Sequence, residues 1–230
     1  MAKGKNTTKS EKNIIAVEEA LGKSEKFIER NQNMLIWVIA IIVLLIGGYI
    51  GYNRFILEPK EVNAAEEMFM AEKFFEEGEF ELALEGNEEH LGFLDIIDDY
   101  GITKTANLAN YYSGICYLNL GEFENAIEYL EEFKKRDQML GSFAYGAMGD
   151  AYLEMDNKEK ALNFYKEAAE FKPNMLTSPM FLLKAGQLAE HMELYDDALA
   201  YFEKIKTEYN DAAEAKNIDV HIGRVKGYNK

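Results

Sequence analysis

Cysteine is nearly absent from this chain. A single Cys116 in 230 residues excludes an intramolecular disulfide, and its neighbours Ile115, Tyr117 and Leu118 mark it as a small buried apolar residue rather than a reactive thiol. Proline is scarce as well: three prolines against fourteen tyrosines and fourteen phenylalanines exclude frequent helix breaks and favour long helices packed through aromatic rings. Histidine is rarer than catalysis or metal binding asks for. His90, His191 and His221 are scattered, no H-E-x-x-H or paired-cysteine spacing exists, and no glycine-rich loop sits between a strand and a helix. Asp95, Asp98 and Asp99 lack the glycine and the terminal glutamate of a calcium loop, so they read as a solvated helix face. The expectation is a chain without catalytic residues, metal or cofactor.

Charge is present in quantity but unevenly divided. Seven basic groups (Lys3, Lys5, Lys9, Lys12, Lys23, Lys26, Arg30) against five acidic ones (Glu11, Glu18, Glu19, Glu25, Glu29) give residues 1–33 a net charge of +2. The whole chain carries −16, so residues 53–230 carry −18, the span between being uncharged. So negative a surface repels phosphate backbones, which excludes nucleic-acid binding by the large part of the chain and leaves cationic or neutral polypeptides as partners.

Residues 34–52, MLIWVIAIIVLLIGGYIGY, form an uncharged run of the length needed to cross a ~30 Å hydrocarbon core as a helix. The polar stretch before it is too long, and a small-residue cleavage site after it too poorly formed, for a secretory signal, so the segment is expected to remain as a single-span anchor. Basic residues are slightly more numerous on its N-terminal side, which predicts a cytoplasmic N-terminus. Gly47, Gly48 and Gly51 leave one face of the helix smooth enough for another helix to approach closely, although glycine is common in membrane helices. In the N-tail, Ile14, Val17, Leu21 and Ile28 recur at helical spacing, with Gly22 and Ser24 marking a break and a new N-cap. Two readings stay open for it: a solvated tail held near the bilayer by its lysines, or a helix lying on the membrane or on a partner.

The strongest internal signal follows the anchor. After a linker at 53–59, Glu58-Pro59-Lys60-Glu61 reads as a helix start, proline suiting the first helical position. From Tyr145 onward, Tyr145, Met148, Gly149, Tyr152, Ala161, Tyr165, Ala168 and Pro173 stand at the spacing of the tetratricopeptide pattern. Gly114, Tyr117, Ala126 and Leu130 repeat it upstream, and Gly186, Ala189, Ala198 and Phe202 downstream, with glycine-to-glycine steps of 35 and 37 residues. A weaker copy holds Ala71, Phe74, Gly78 and Ala83, with Gly78 aligned to the turn glycine Gly121. From Ala83 to Ala126 the step is 43 residues, so GNEEHLGFLDIIDDYGIT must hold extra structure, its FLDIIDDYG reading as a short amphipathic helix stopped by Gly101. The fold expected is all-α: one N-terminal transmembrane helix, then at residues 60–230 a tetratricopeptide α-solenoid of about four helix pairs, with DAAEAKNIDVHIGRVKG as a C-terminal capping helix.

The physical sense of the pattern is close packing of two antiparallel helices, small residues such as Gly149 and Ala161 lying where the axes approach and Tyr152 and Tyr165 filling the gaps. Solenoids of this kind present a concave surface lined by the first helix of each pair, and such surfaces hold peptides. The groove-facing positions are Leu108, Tyr111, Ile115 and Leu118, then Phe143, Gly146, Asp150 and Leu153, then Met180, Leu183 and Gln187. They describe an apolar, aromatic groove with an acidic accent and without lysines to clamp a carboxylate. An equally open reading is that Tyr111 and Phe143 pack between repeats or against the capping helix.

The stretches VEEALGKSEKFIERNQ, GFLDIIDDYG, NLANYYSGICYLNLGEFENAI and SPMFLLKAG, in the order basic tail, membrane helix and acidic repeat domain, resemble the YfgM-like ancillary subunits of the bacterial SecYEG translocon. The resemblance covers nearly the whole chain. It implies a bacterial inner-membrane protein with a periplasmic repeat domain, partners among SecYEG subunits and periplasmic chaperones or emerging secretory polypeptides, and a non-enzymatic role in translocation and handover. Two alternatives are a scaffold for outer-membrane or envelope machines and a membrane-tethered regulator that sequesters a cytoplasmic signalling factor.

Overall fold

A computed structural model of the protein describes residues 22, 23 and 25–228, which divide into two compact units between Glu58 and Pro59. Ile14, Val17, Leu21 and Ser24, and with them the proposed N-cap of the tail, lie outside the described residues; Gly22, expected at a break, is helical.

In the first unit, helix α1 runs Gln32–Tyr52 and buries none of its residues. Trp37 and Leu44 are 71% and 74% exposed, with isoleucines, valines and leucines open on every side. A helix apolar all round, with no face buried among the described residues, is compatible with a single membrane-spanning anchor. Among the described residues, it belongs to the one helix long and apolar enough to span a membrane. The expected linker is not irregular: Asn53–Leu57 form a π-helical turn, and α2 begins at Glu58. Pro59 is therefore not the first helical residue. A proline has no N–H to donate and its ring crowds the carbonyl four residues back, and a π turn widens the backbone just before that point.

The second unit consists, among its described residues, of helices joined by short turns. They are α2 (Glu58–Glu76), α3 (Phe80–Glu85), α4 (Phe93–Tyr100), α5 (Lys104–Leu120), α6 (Phe123–Glu132), α7 (Gln138–Glu154), α8 (Lys158–Glu170), α9 (Thr177–His191), α10 (Tyr195–Glu208) and α11 (Ile218–Tyr228), with a 3-10 turn at Ala213–Asn217. Helices α5/α6, α7/α8 and α9/α10 are antiparallel pairs. In the first, ring and side-chain partners separate progressively from the turn: Tyr117 stacks on Tyr129, Gly114 meets Leu130, and Tyr111 meets Phe133. The fourth and foremost pair is α2 with a second helix cut in two. Asn87 Oδ1 accepts from the amides of Glu89 and His90, Gly86 and Leu91 form an isolated bridge, and the chain resumes as α4, which accounts for the long step between repeats. A Cβ on Gly92 would lie 2.1 Å from the Leu84 carbonyl oxygen, so only glycine lets the two strands of this insert touch. Gly101 ends α4 in right-handed geometry, without the left-handed cap a terminal glycine often supplies.

The turn inside each pair is the same four times. Gly78 and Gly121 have φ of +80°, and Asp156 and Glu193 occupy the same left-handed place at +56° and +60°. In all four, the next residue's amide donates back to the same carbonyl: Glu79 to Phe74, Glu122 to Tyr117, Asn157 to Tyr152 and Leu194 to Ala189. Between helices, Gly114, Gly149 and Gly186 press against Leu130, Tyr165 and Phe202, where an added Cβ would lie 2.4–2.7 Å from the ring or side-chain carbon. Ala126, Ala161 and Ala198 are fully buried beside them. The last element, α11, buries Ile218, Ile222 and Val225 against the preceding pair, with Asp219, Arg224 and Lys226 outward beside the exposed Val220 and Tyr228. Arg224 fixes it by a bidentate pair with Glu190 at 2.5 and 2.7 Å.

Candidate partner-binding surface

The first helix of each pair carries the candidate groove, and the structure sorts its residues into three settings. Tyr111, Ile115 and Leu118 pack on the cluster formed by Leu130, Phe133, Ala144, Ala147 and Met148. The Tyr111 ring lies 5.4 Å from Phe133, and burial pushes its phenol up to about 12. Phe143, Met180 and Leu183 pack on the neighbouring cluster around Phe181 and Leu182, the Phe143 and Phe181 rings meeting edge-on at 6.1 Å. Gly146 is covered by Phe181, whose ring leaves 2.0 Å for a Cβ there. These positions contribute mostly to contacts between repeats.

Asp150, Leu153 and Gln187 remain open, in two clefts of about 500 and 510 Å³ that share Asp150, Leu153 and Lys184, and the half-buried Leu118 also lines one of them. Here the acid is already engaged. Lys184 Nζ donates to both Asp150 oxygens at 2.7 and 2.9 Å, and Tyr165 donates its hydroxyl to Oδ1 at 2.5 Å. Burial, that hydrogen bond and the negative charge of Asp150 and Glu154 raise the Tyr165 pKa far above that of a free phenol. The sequence pattern missed Lys184 because it stands one place off the groove-facing rows; its ammonium reaches back across a full repeat. A lysine does stand in the groove, then, and it carries the charge of Asp150 rather than a free positive one. Lys158 and His191 line the same cleft with their nitrogens 3.5 Å apart.

Leu108 belongs to a third cleft at the opposite, N-terminal end of α5 and α7. Cys116 is fully buried and its thiol is pushed up to about 12 by desolvation, which disfavours the nucleophilic thiolate. Among the described residues no group of histidine, cysteine and carboxylate side chains is placed to hold a metal ion. In α1, a Cβ on Gly47, Gly48 or Gly51 would meet nothing within 4 Å.

Residues 108–137 and 144–175 each match the Tetratricopeptide repeat family. A crystal structure of MamA protein is similar in fold: the match covers 72% of this chain and 87% of that one, at 19% identity and a TM-score of 0.51. No curated protein matches the chain. With the four like turns and glycine contacts, the chain is a tetratricopeptide solenoid preceded by one apolar helix, a fold that serves protein–protein interaction and is typically non-enzymatic.

Proposed function

We propose that this solenoid is a single-pass inner-membrane adaptor of the Sec translocon, its N-tail cytoplasmic and residues 60–230 periplasmic, which assists translocation and handover to chaperones by binding polypeptides. The observation that carries the anchored reading is α1, apolar and exposed on every face. A helix that leaves so much apolar surface uncovered among the described residues would gain that burial from a bilayer. The repeat unit adds two clefts of about 500 and 510 Å³ whose lining mixes leucine side chains with a neutralised ion pair, a setting for side chains of an extended segment rather than for a reaction. Held beside a translocation exit by its anchor, such a surface acts at high effective concentration, so weak contacts suffice. The partner assignment comes from the resemblance of the tail, the α4 segment and the repeats to the translocon-associated family.

Affinity purification of the full chain from membranes in mild detergent tests the assignment. Channel subunits in the eluate support it. Outer-membrane assembly components would replace it with the envelope-scaffold reading, and a cytoplasmic signalling protein bound through the tail would replace it with the regulator.

A further inference from the structure

The third cleft, about 490 Å³ in volume, opens at the N-terminal ends of α5 and α7 and differs in charge from the rest of its unit. Leu108, Phe133 and Leu140 line its interior, and Ile102, 52% exposed, stands at its mouth. Lys104, Lys134 and Arg136 surround it. Two acidic groups lie close, and both are engaged by backbone. Asp137 caps α7 through the amides of Met139 and Leu140, hydrogen bonds that with nearby Lys172 hold its carboxyl below the ordinary range. Glu61 of α2 accepts from the amides of Lys104 and Thr105 and from the Thr105 hydroxyl.

Several cations elsewhere in the unit are matched: Lys184 to Asp150, Lys206 to Asp219, Arg224 to Glu190, Lys226 to Glu203. The charged ends of Lys104, Lys134 and Arg136 make no ion pair or hydrogen bond among the described residues. In a region of net −18, where carboxylates are abundant, Lys104, Lys134 and Arg136 line one apolar hollow and outnumber the two acids beside it, Asp137 and Glu61, which leaves a local excess of positive charge. We propose that this cleft docks a peptide segment in which acidic side chains flank a large apolar one. The apolar side chain enters over Leu108, Phe133 and Leu140, and the carboxylates meet Lys104, Lys134 and Arg136, with Arg136 able to take one bidentately. Elsewhere the acidic surface of the unit repels the same segment, so charge sets both the place and the register of docking. The inference rests on the reading of the repeats as a polypeptide-binding module and adds the chemistry of one partner.

The test uses the full chain in detergent micelles and a fluorescein-labelled peptide of alternating Glu and Leu, read by anisotropy. The same peptide with Gln for Glu should bind about tenfold more weakly, and added salt should weaken the acidic peptide alone. The triple variant Lys104→Gln, Lys134→Gln, Arg136→Gln should lose about tenfold, and Lys104→Arg with Lys134→Arg should keep affinity. Ile102→Ser should weaken binding without changing the salt response. Equal binding of the Glu and Gln peptides, or wild-type affinity in the triple variant, would overturn the proposal. So would competition by inorganic phosphate alone, cation-dependent binding to anionic vesicles in place of peptide, or self-association in sedimentation that the triple variant abolishes. Native partners that still co-purify while the acidic peptide does not bind would remove the cleft and leave the adaptor reading intact.

Discussion

At the scale of single residues, stability is concentrated where glycine and alanine let helices touch. Gly186 is buried and a Cβ there would lie 2.4 Å from the Phe202 ring, itself fully buried and unable to yield. Gly186→Ala should therefore cost about 1–3 kcal/mol, a fall in Tm of roughly 2–4 °C per kcal/mol measured by calorimetry. The turn position behaves oppositely. Glu193 is an exposed non-glycine residue at φ +60°, so Glu193→Gly should stabilise by about 0.5–1 kcal/mol, whereas Gly121→Ala, forced into the same region, should destabilise by about 1–2 kcal/mol. Tyr111 and Cys116 add a pH dependence. Both acids have folded pKa values pushed up by burial to about 12, from ordinary values of 10.0 and 9.0. The unfolded chain loses these protons first, so the stability they contribute is complete below about pH 9 and falls away as pH rises toward 12. Denaturant titrations across that range should show the decline, and Tyr111→Phe should make it shallower.

At the scale of elements, the helix pair is the cooperative part. Ala161 is fully buried where α7 and α8 cross, its carbonyl lying 3.3 Å from the place a Cβ on Gly149 would take. Ala161→Leu should overpack that crossing at a cost of about 1–3 kcal/mol, and an unchanged thermal transition would refute the assigned contact. The cap α11 is the natural counterpart, because a solenoid ends wherever its last apolar face is covered. In the first unit, Gly47 and Gly51 share a face of α1 with open space around both. Lipid gains nothing from that smoothness and a facing helix does. Gly47→Leu with Gly51→Leu should thus weaken co-purification with channel subunits while leaving membrane insertion and the thermal transition of the repeats unchanged.

For the whole molecule, the expected outcome is a sided one. Protease added to spheroplasts should digest residues 60–230 and spare the tail, as followed by immunoblot with antibodies to each; survival of the repeat region would place it on the cytoplasmic side and end the translocon-exit reading. The charge of the large unit matters at the same scale. At −18 for residues 53–230, the surface disfavours anionic partners except where cations gather, so the field of the molecule and the basic cleft select by the same electrostatics with opposite sign.

The sequence alone determined the helix pairs, their number and the residues at their crossings, because a Gly, Ala and Tyr pattern recurring at 35 and 37 residues reflects contacts made within one repeat. It determined the apolar helix too, since an uncharged run needs no tertiary partner to be recognised. The insert before α4 was legible as excess length, yet its Asn87 turn was not, because a side-chain acceptor satisfying two amides leaves no periodic trace. Tertiary structure decided which groove residues are open. Tyr111 and Phe143 stand at groove spacing, yet each meets an aromatic ring, Phe133 at 5.4 Å for one and Phe181 at 6.1 Å for the other. Asp150 reads as a free acid until Lys184, 34 residues on, reaches it. The unmatched cations at Lys104, Lys134 and Arg136 emerged in the same way. Whether a surface charge is paired depends on side chains that approach from distant repeats, and no local pattern records that.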